Sequence, residues 1–167
     1  MTPVPEVLPE LRVQVGLRLG GRRELLEAAL LRARKAVFDA TGVILPLIQL
    51  DIDAGMAAWA WTLSIGGESR EGRVEDGDLW PEEASAITFE RQLTDTLRPA
   101  AASFISRQLV EHYLDTLAAD RPMLIKGVRS LVDAEQLQRQ LTDRVQGGRS
   151  IRNLHLVFDE LLSHSLT

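Results

Sequence analysis

The fold is decided by Leu137-Gln138-Arg139-Gln140-Leu141 and, beyond a break at Gly147-Gly148, by Ser150-Ile151-Arg152-Asn153-Leu154. Apolar residues recur at helical spacing in both segments, and they continue at Val157, Phe158 and Leu161. This spacing predicts two short amphipathic helices with a tight joint. Ser150 stands where the hydroxyl of an N-cap would satisfy a free amide, so we predict that it caps the last helix.

Further helices are predicted upstream of this pair. Asp133 with Gln136 three residues later has the pattern of a capping box, and Ser106 is a candidate internal cap. The predicted spans are Ile87 to Leu97, Pro99 to Leu117 in one or two helices, Pro122 to Ser130, Ala134 to Gln146 and Ile151 to Leu162.

The N-terminal half has a different pattern. Apolar residues alternate from Leu11 to Leu19, which predicts a half-buried strand, and three- and four-residue spacing from Leu25 to Val37 predicts a helix that stops at Gly42. Residues 47–52 predict a second strand. A third strand carries Trp59, Trp61, Leu63 and Ile65 on one face, and Gly66-Gly67 predicts a hairpin turn into a fourth strand over 68–74.

An acidic stretch separates the two halves. Between Glu75 and Glu90 there are six acidic residues and no basic one, with Gly77 and Pro81 as breakers. We therefore predict an α+β protein with a small β-α-β-β subdomain over 1–75, a linker over 76–90 and a helical subdomain over 91–167.

Composition limits the class of function. The net charge of −5 argues against a nucleic-acid binder, because phosphate contacts need a concentrated basic surface. No apolar run approaches the roughly 20 residues of a membrane-spanning helix. The chain has no cysteine, which excludes disulfides and thiolate metal sites. A cytoplasmic location fits these features.

No set of residues predicts catalysis, a metal or a cofactor. His112 and Asp115 share a helical face, but two ligands do not complete a zinc site. His155, His164 and Asp159 have no metal-binding spacing either. Asp51 and Asp53 are interpreted as a solvated or turn-initiating pair. We expect no enzyme activity.

The C-terminal segments resemble the export-gate (FHIPEP) family of flagellar and injectisome type III secretion. The family motif runs approximately LQ-x-VL-x-x-LL-x-E-x-VSIRDL-x-x-IL-E-x-L. The residues that carry the resemblance are Gln138, Ser150, Ile151, Arg152 and Asn153, together with Arg107 and Gln108 upstream. The N-terminal half is similar too, in the order of an arginine-bearing helix, the segment Gly42 to Pro46 and a glycine hairpin at 65–72.

The chain departs from the family pattern in several places. Arg91-Gln92-Leu93 stands for the usual Thr-His-Leu, and Arg144 stands for an apolar residue. Gly147 and Arg149 replace an acid and a valine. The family's membrane half, inserted subdomain and last subdomain have no room in 167 residues, which indicates a short or divergent relative or a fragment.

The resemblance implies a protein-export component that binds export substrates, chaperones or neighbouring subunits, with weak ring-type self-association. Two alternatives stay open: an accessory or regulatory interaction module that borrowed the fold, and a small enzyme with an unrecognised site. Candidate partner-binding residues fall into three groups: the tryptophans Trp59, Trp61 and Trp80, the basic residues Arg22, Arg32 and Arg34, and the acidic residues Glu75, Asp76 and Asp78. For Trp59 and Trp61, core packing against the Leu25 to Val37 helix is the favoured interpretation and a partner-binding patch is the alternative; for the charged groups, an ordinary solvated surface explains the pattern equally well.

Overall fold

The computed structural model describes residues 10–75 and 82–165. It confirms an α+β fold in which a mixed sheet is followed by helices. The strands are β1 (Leu11–Val15), β2 (Gln49–Ile52), β3 (Ala60–Ile65) and β4 (Glu68–Arg73). The helices are α1 (Arg23–Thr41), α2 (Glu82–Ala100), α3 (Arg107–Asp120), α4 (Pro122–Leu131), α5 (Ala134–Gln146) and α6 (Leu154–Ser165).

By its contacts the chain divides into two compact units. Of the described residues, those within 10–37 and 45–99 form the sheet unit, and those within Phe38–Ile44 and 100–165 form the helical unit. The residues of α1 from Phe38 onward therefore belong with the later helices.

In the sheet unit the strand order is β2-β1-β3-β4. β1 pairs in parallel with β2 and antiparallel with β3, so Val13 faces Leu50 on one side and Leu63 on the other. A parallel pair needs a crossover connection, and α1 provides it. β3 and β4 form the predicted hairpin, with Gly66 at φ +60 in its turn. The β-α-β-β order is confirmed.

In the helical unit, α4 packs against α3 and α6, while α5 packs against α3 and the 3-10 turn Ala101–Phe104. Two predicted caps are confirmed. The Ser106 hydroxyl accepts a hydrogen bond from Leu109 N at the start of α3. Asp133 and Gln136 form the capping box of α5.

The predicted first strand was too long. It ends at Val15, and Leu17 lies exposed in the turn that follows. The strand ends there because the loop before β3 packs against Gly16. The N–H of Gly16 donates to the carbonyl of Ala60, and a Cβ on Gly16 would overlap the carbonyls of Ala57 and Ala58. A 3-10 turn over Leu19–Gly21 then leads into α1.

The predicted linker was also too long. α2 begins at Glu82, so Glu83 and Glu90 are helical residues, and by its contacts the helix up to Pro99 belongs to the sheet unit. Of the predicted linker, residues 76–81 lie outside the described residues.

The predicted start of the last helix, and with it the Ser150 cap, was wrong. α6 begins at Leu154, and the amides of Leu156 and Val157 donate to the carbonyl of Asn153, directly before the helix. The Ser150 hydroxyl instead accepts from Arg152 N within an exposed turn.

Candidate functional site

The segment Gly147–Leu154, here called the C-terminal joint, lies against the end of α1 within the helical unit. Ile151 is fully buried, and its N–H donates to the carbonyl of Thr41 over 2.8 Å. That carbonyl lies in the last turn of α1, where four carbonyls lack a partner within the helix. The joint therefore satisfies a helix end that would otherwise need water.

Gly42 makes this contact sterically feasible. Its φ of +81 lies in the left-handed region that favours glycine, and a Cβ there would overlap the backbone of Ile151 and Arg152. The hydroxyl of Tyr113 on α3 donates to Gly42 O over 2.6 Å and accepts from Ile44 N over 3.4 Å. Burial, partly offset by the bond from Ile44 N, raises the pKa of Tyr113 to about 12.

Arg152 extends the same contact to the surface. Its guanidinium lies 5.9 Å from the centre of the Phe38 ring and 3.6 Å from Asp39 Oδ1. Arg152 and Asp39 are both exposed, so each interaction contributes modestly.

The other motif residues also support the fold. Gln138 on α5 donates to Ile105 O over 3.0 Å and so ties α5 to the turn before α3. Arg107 lies 3.9 Å from Glu135, both exposed, and Gln108 is exposed at the start of α3. In the described structure the motif thus builds the helical unit, and its exposed members are Arg107, Gln108, Ser150, Arg152 and Asn153.

Two departures from the export-gate pattern have local partners. Arg144, in place of an apolar residue, is largely buried and pairs with Glu160 on α6 over 2.9 Å. The hydrogen bond from Arg144 and its charge lower the pKa of Glu160. Gln92 accepts from Trp61 Nε1 over 2.8 Å and donates to Arg73 O over 2.9 Å, which joins α2 to β3 and β4.

The three tryptophans differ in how far the structure buries them. Trp61 is 2% exposed, packs edge-on against Phe89 at 6.1 Å and lies over Gly72, where a Cβ would overlap the indole. Because it is buried, its assignment as a partner-binding residue was wrong, and core packing is the correct interpretation. Trp59 is half-buried just before β3, and Trp80 lies outside the described residues.

The basic candidates take part in contacts within the chain. Arg32 Nε donates to both carboxylate oxygens of Glu90 over 3.0 and 3.1 Å. Arg34 donates from two nitrogens to Leu45 O, which fixes the loop before β2. Arg22 is exposed at the start of α1 and has an interaction of its own. Among the acidic candidates, Glu75 is exposed, whereas Asp76 and Asp78 lie outside the described residues.

Described residues of the sheet unit line two concave surfaces that are relevant to the candidate sites. One is an apolar groove beside α1 and the loop before β2, where Leu31 and Leu47 are 58% and 73% exposed. The other is a small cavity lined by Trp59 that also contains Ser85 and Arg18. Sequence reasoning missed Ser85 and Arg18. Ser85 fell in the predicted linker and Arg18 in the predicted strand, so no local pattern indicated that they share a cavity.

The acid and histidine pairs considered for metal binding have simpler roles. Asp115 and Glu111 both pair with Arg129, and Asp53 Oδ1 accepts from Gly55 N in a turn. Over residues 10–75 and 82–165, no group of three or more histidine, aspartate or glutamate residues could hold a metal ion.

Comparison with known proteins identifies the fold. No protein-family model and no curated protein sequence matches the chain. Among solved structures, CdsV of Chlamydia pneumoniae aligns with a TM-score of 0.82 at 14% identity, over 98% of this chain and 62% of that chain. CdsV has also been solved in a complex with CdsO.

Two further solved structures have the same fold. MxiA of Shigella flexneri aligns with a TM-score of 0.72 at 18% identity, over 93% of this chain and 57% of that chain. The nonameric cytosolic domain of EscV from a type III secretion system aligns with a TM-score of 0.71 at 14% identity, over 98% and 61%.

The chain has the fold of the type III export-gate cytoplasmic domains. It spans about three fifths of the length of the CdsV, MxiA and EscV chains. Both units of the chain lie within the shared export-gate fold, because the alignment with CdsV covers 98% of it. None of the helices described here is long and apolar enough to cross a membrane.

Proposed function

We propose that this chain is a component of a type III protein-export system and that it acts at the cytoplasmic side by binding other proteins. The observation that carries the proposal is the alignment with CdsV over 98% of the chain, sheet unit and helical unit alike. The residues of the family motif add support, because Gln138, Ile151 and Gly42 hold the helical unit together.

We propose two kinds of partner. One is a further copy of the chain or a neighbouring export subunit in a weak ring, since the EscV cytosolic domain is nonameric. The other is an export substrate, a chaperone or another soluble export component, since CdsV forms a complex with CdsO.

We also propose that the chain acts without catalysis. Of the described titratable groups, Tyr113 and Glu160 have displaced pKa values, and each displacement has a structural cause. Tyr113 bonds to the backbone at the end of α1, and Glu160 pairs with Arg144. Neither arrangement contains a nucleophile with an adjacent base, which acyl or glycosyl transfer would need.

The test is capture of the tagged full chain in its source cell after brief crosslinking, with the tag alone as the control. We expect enrichment of secretion-apparatus components, export chaperones or secreted proteins. A deletion strain should secrete less of the same proteins, and the untagged chain should restore secretion. Enrichment of unrelated proteins together with unchanged secretion would contradict the proposal and favour an accessory module that borrowed the fold.

A further inference from the structure

A small cavity in the sheet unit, here called the Trp59 cavity, has an unusual lining. It lies between the start of α1, the residue before β3 and the first turn of α2, and it is lined by Arg18, Leu19, Arg22, Leu25, Leu26, Trp59, Ser85 and Ala86. The space open to the centre of a water-sized sphere is about 20 Å³. This volume admits about one small polar group.

Two buried polar atoms in this lining have no hydrogen-bond partner among the described residues. They are Trp59 Nε1 and Ser85 Oγ, and Ser85 as a whole is only 3% exposed. Buried polar side-chain atoms are rarely left unpaired in folded proteins. Both atoms belong to residues that line one cavity, so a group that enters it and reaches them would supply the missing partners.

The lining favours a negatively charged acceptor. An indole Nε1–H and a guanidinium can only donate, and a serine hydroxyl can donate as well. Among the described residues, the lining contains two arginines, Arg18 and Arg22, and no acidic residue, and Arg22 already has an interaction of its own. Within the described residues Arg18 has no ion pair or side-chain hydrogen bond. Ser85 also lies in the first turn of α2, where the helix dipole favours negative charge.

We infer that the Trp59 cavity binds a carboxylate group carried by an acidic side chain of a partner protein. The head group accepts from Trp59 Nε1 and Ser85 Oγ, and Arg18 supplies the countercharge. The cavity is too small for a whole phosphate or dicarboxylate ion, whereas a side chain needs to insert only its end. Leu19 and Leu25 in the lining then contact the methylene groups behind the carboxylate. The identity of the partner as an export protein rests on the proposed function.

The test follows the indole N–H signals of the purified, ¹⁵N-labelled full chain by NMR. The chain has three tryptophans, so Trp59→Phe assigns the relevant signal. The probes are sodium acetate and the blocked peptide acetyl-Gly-Glu-Gly-amide, with sodium chloride at equal ionic strength and acetyl-Gly-Gln-Gly-amide as controls. We expect a saturable shift of the Trp59 signal with both carboxylates and with neither control. The Trp61 signal should stay in place, because its indole is already bonded to Gln92.

Variants of the lining residues test whether the shift of the Trp59 signal arises from binding in the cavity. Ser85→Ala and Arg18→Gln should each weaken binding of both probes about tenfold, since each removes a charge-assisted contact. Arg12→Gln is the matched control, because Arg12 is an exposed arginine of the same unit outside the lining, and it should leave binding unchanged. Ser85→Ala removes a hydroxyl that has no partner in the free chain, so the variant should remain folded, with an unchanged or higher denaturation midpoint.

Each failure has a distinct meaning. If acetate binds and the glutamate peptide does not, the carboxylate does not come from a side chain of a partner protein, and the cavity binds a free small carboxylate instead. If neither probe moves the Trp59 signal, or if Ser85→Ala binds as well as the parent chain, the site is wrong and water is its occupant. These measurements involve no export component, so their failure leaves the proposed function standing, and a failed capture experiment leaves the site standing.

Discussion

The N–H of Ile151 donates to the carbonyl of Thr41 over 2.8 Å, between residues 110 positions apart in the sequence. This bond connects the C-terminal joint to the end of α1, and Gly42 next to Thr41 leaves room for it. The family motif around Ile151 and the glycine after α1 are therefore two halves of one structural contact. A change in either half should lower the stability of the helical unit.

Gly42→Ala should destabilise the chain by at least about 2 kcal/mol, because it adds a left-handed backbone penalty to an overlap with Arg152. Gly148→Ala is the matched control. Gly148 has nearly the same φ of +82, but nothing lies within 4 Å of an added Cβ. It should cost only about 1 kcal/mol. Urea denaturation measures both, and equal losses would contradict the role of Gly42 in the joint.

Tyr113 should titrate abnormally. It is the single tyrosine of the chain, so absorbance at 295 nm follows its ionisation directly. We expect a midpoint near pH 12 in the folded chain against an ordinary value of 10.0. The raised pKa means that the folded state holds its proton longer than the unfolded state. The stability due to Tyr113 is therefore complete below pH 10 and declines between pH 10 and 12, by up to about 1.4 kcal/mol per pH unit.

Tyr113→Phe provides the control for this pH dependence. At neutral pH it should cost about 1 to 3 kcal/mol, because the carbonyl of Gly42 loses its buried donor. Above pH 10 the difference between the two proteins should shrink. A constant difference from pH 8 to pH 12 would show that the phenol ionises as freely in the folded state as in the unfolded state.

Ser106 and Ser150 make a matched pair of serines. Ser106 is buried and caps α3, so Ser106→Ala should cost about 1 to 2 kcal/mol. Ser150 makes one bond in an exposed turn, so Ser150→Ala should cost less than about 0.5 kcal/mol. The denaturation midpoints of the two variants measure these losses of stability. A larger loss at Ser150 would restore the original prediction that it caps the last helix.

Local sequence patterns predicted the features that depend on local contacts. The hairpin at Gly66 and the capping box at Asp133 each need residues only a few positions apart, and both are confirmed. The features that were predicted wrongly depend on contacts between residues far apart in the sequence. Gly16 leaves the strand because it meets Ala57 and Ala60, and Ile151 stays outside α6 because Thr41 holds its N–H. The apolar spacing around Ile151 is the same whether or not that partner exists.

The same limit applies to the candidate sites. Trp59 and Trp61 share a strand face in the sequence pattern, yet Gln92 and Phe89 from α2 bury only the second. Ser85 became part of a cavity lining only because α2 begins at Glu82, inside a stretch whose glycine, proline and acidic residues indicate a linker.

Leu141 and Leu154 test the packing of the last two helices. Leu141 is fully buried on α5, so Leu141→Ala should cost about 2 to 5 kcal/mol. Leu154 is half-buried at the start of α6, and Leu154→Ala should cost about 1 kcal/mol because part of its surface already meets water. Chemical denaturation separates these values, and the reverse order would contradict the observed start of α6.

Self-association provides the last prediction. A ring contact between the basic residues Arg22, Arg32 and Arg34 and the acidic face at Glu75 must compete with bonds inside the chain, because Arg32 already binds Glu90 and Arg34 binds Leu45 O. We therefore expect a monomer in dilute solution. Association at rising concentration should weaken with salt, since exposed charges are screened within about 10 Å at 0.1 M.

Light scattering at increasing concentration and two salt levels measures this association. Glu75→Lys should reduce it further, while Glu68→Lys, an equal charge change on the exposed strand β4, should leave it unchanged. A stable oligomer at micromolar concentration that ignores salt would contradict a charged contact. Because Trp61 is buried, an apolar interface would then have to use other residues, of which Leu31 and Leu47 are the most exposed beside the groove at β2. Leu47→Asp should dissociate such an oligomer, and Glu75→Lys should not.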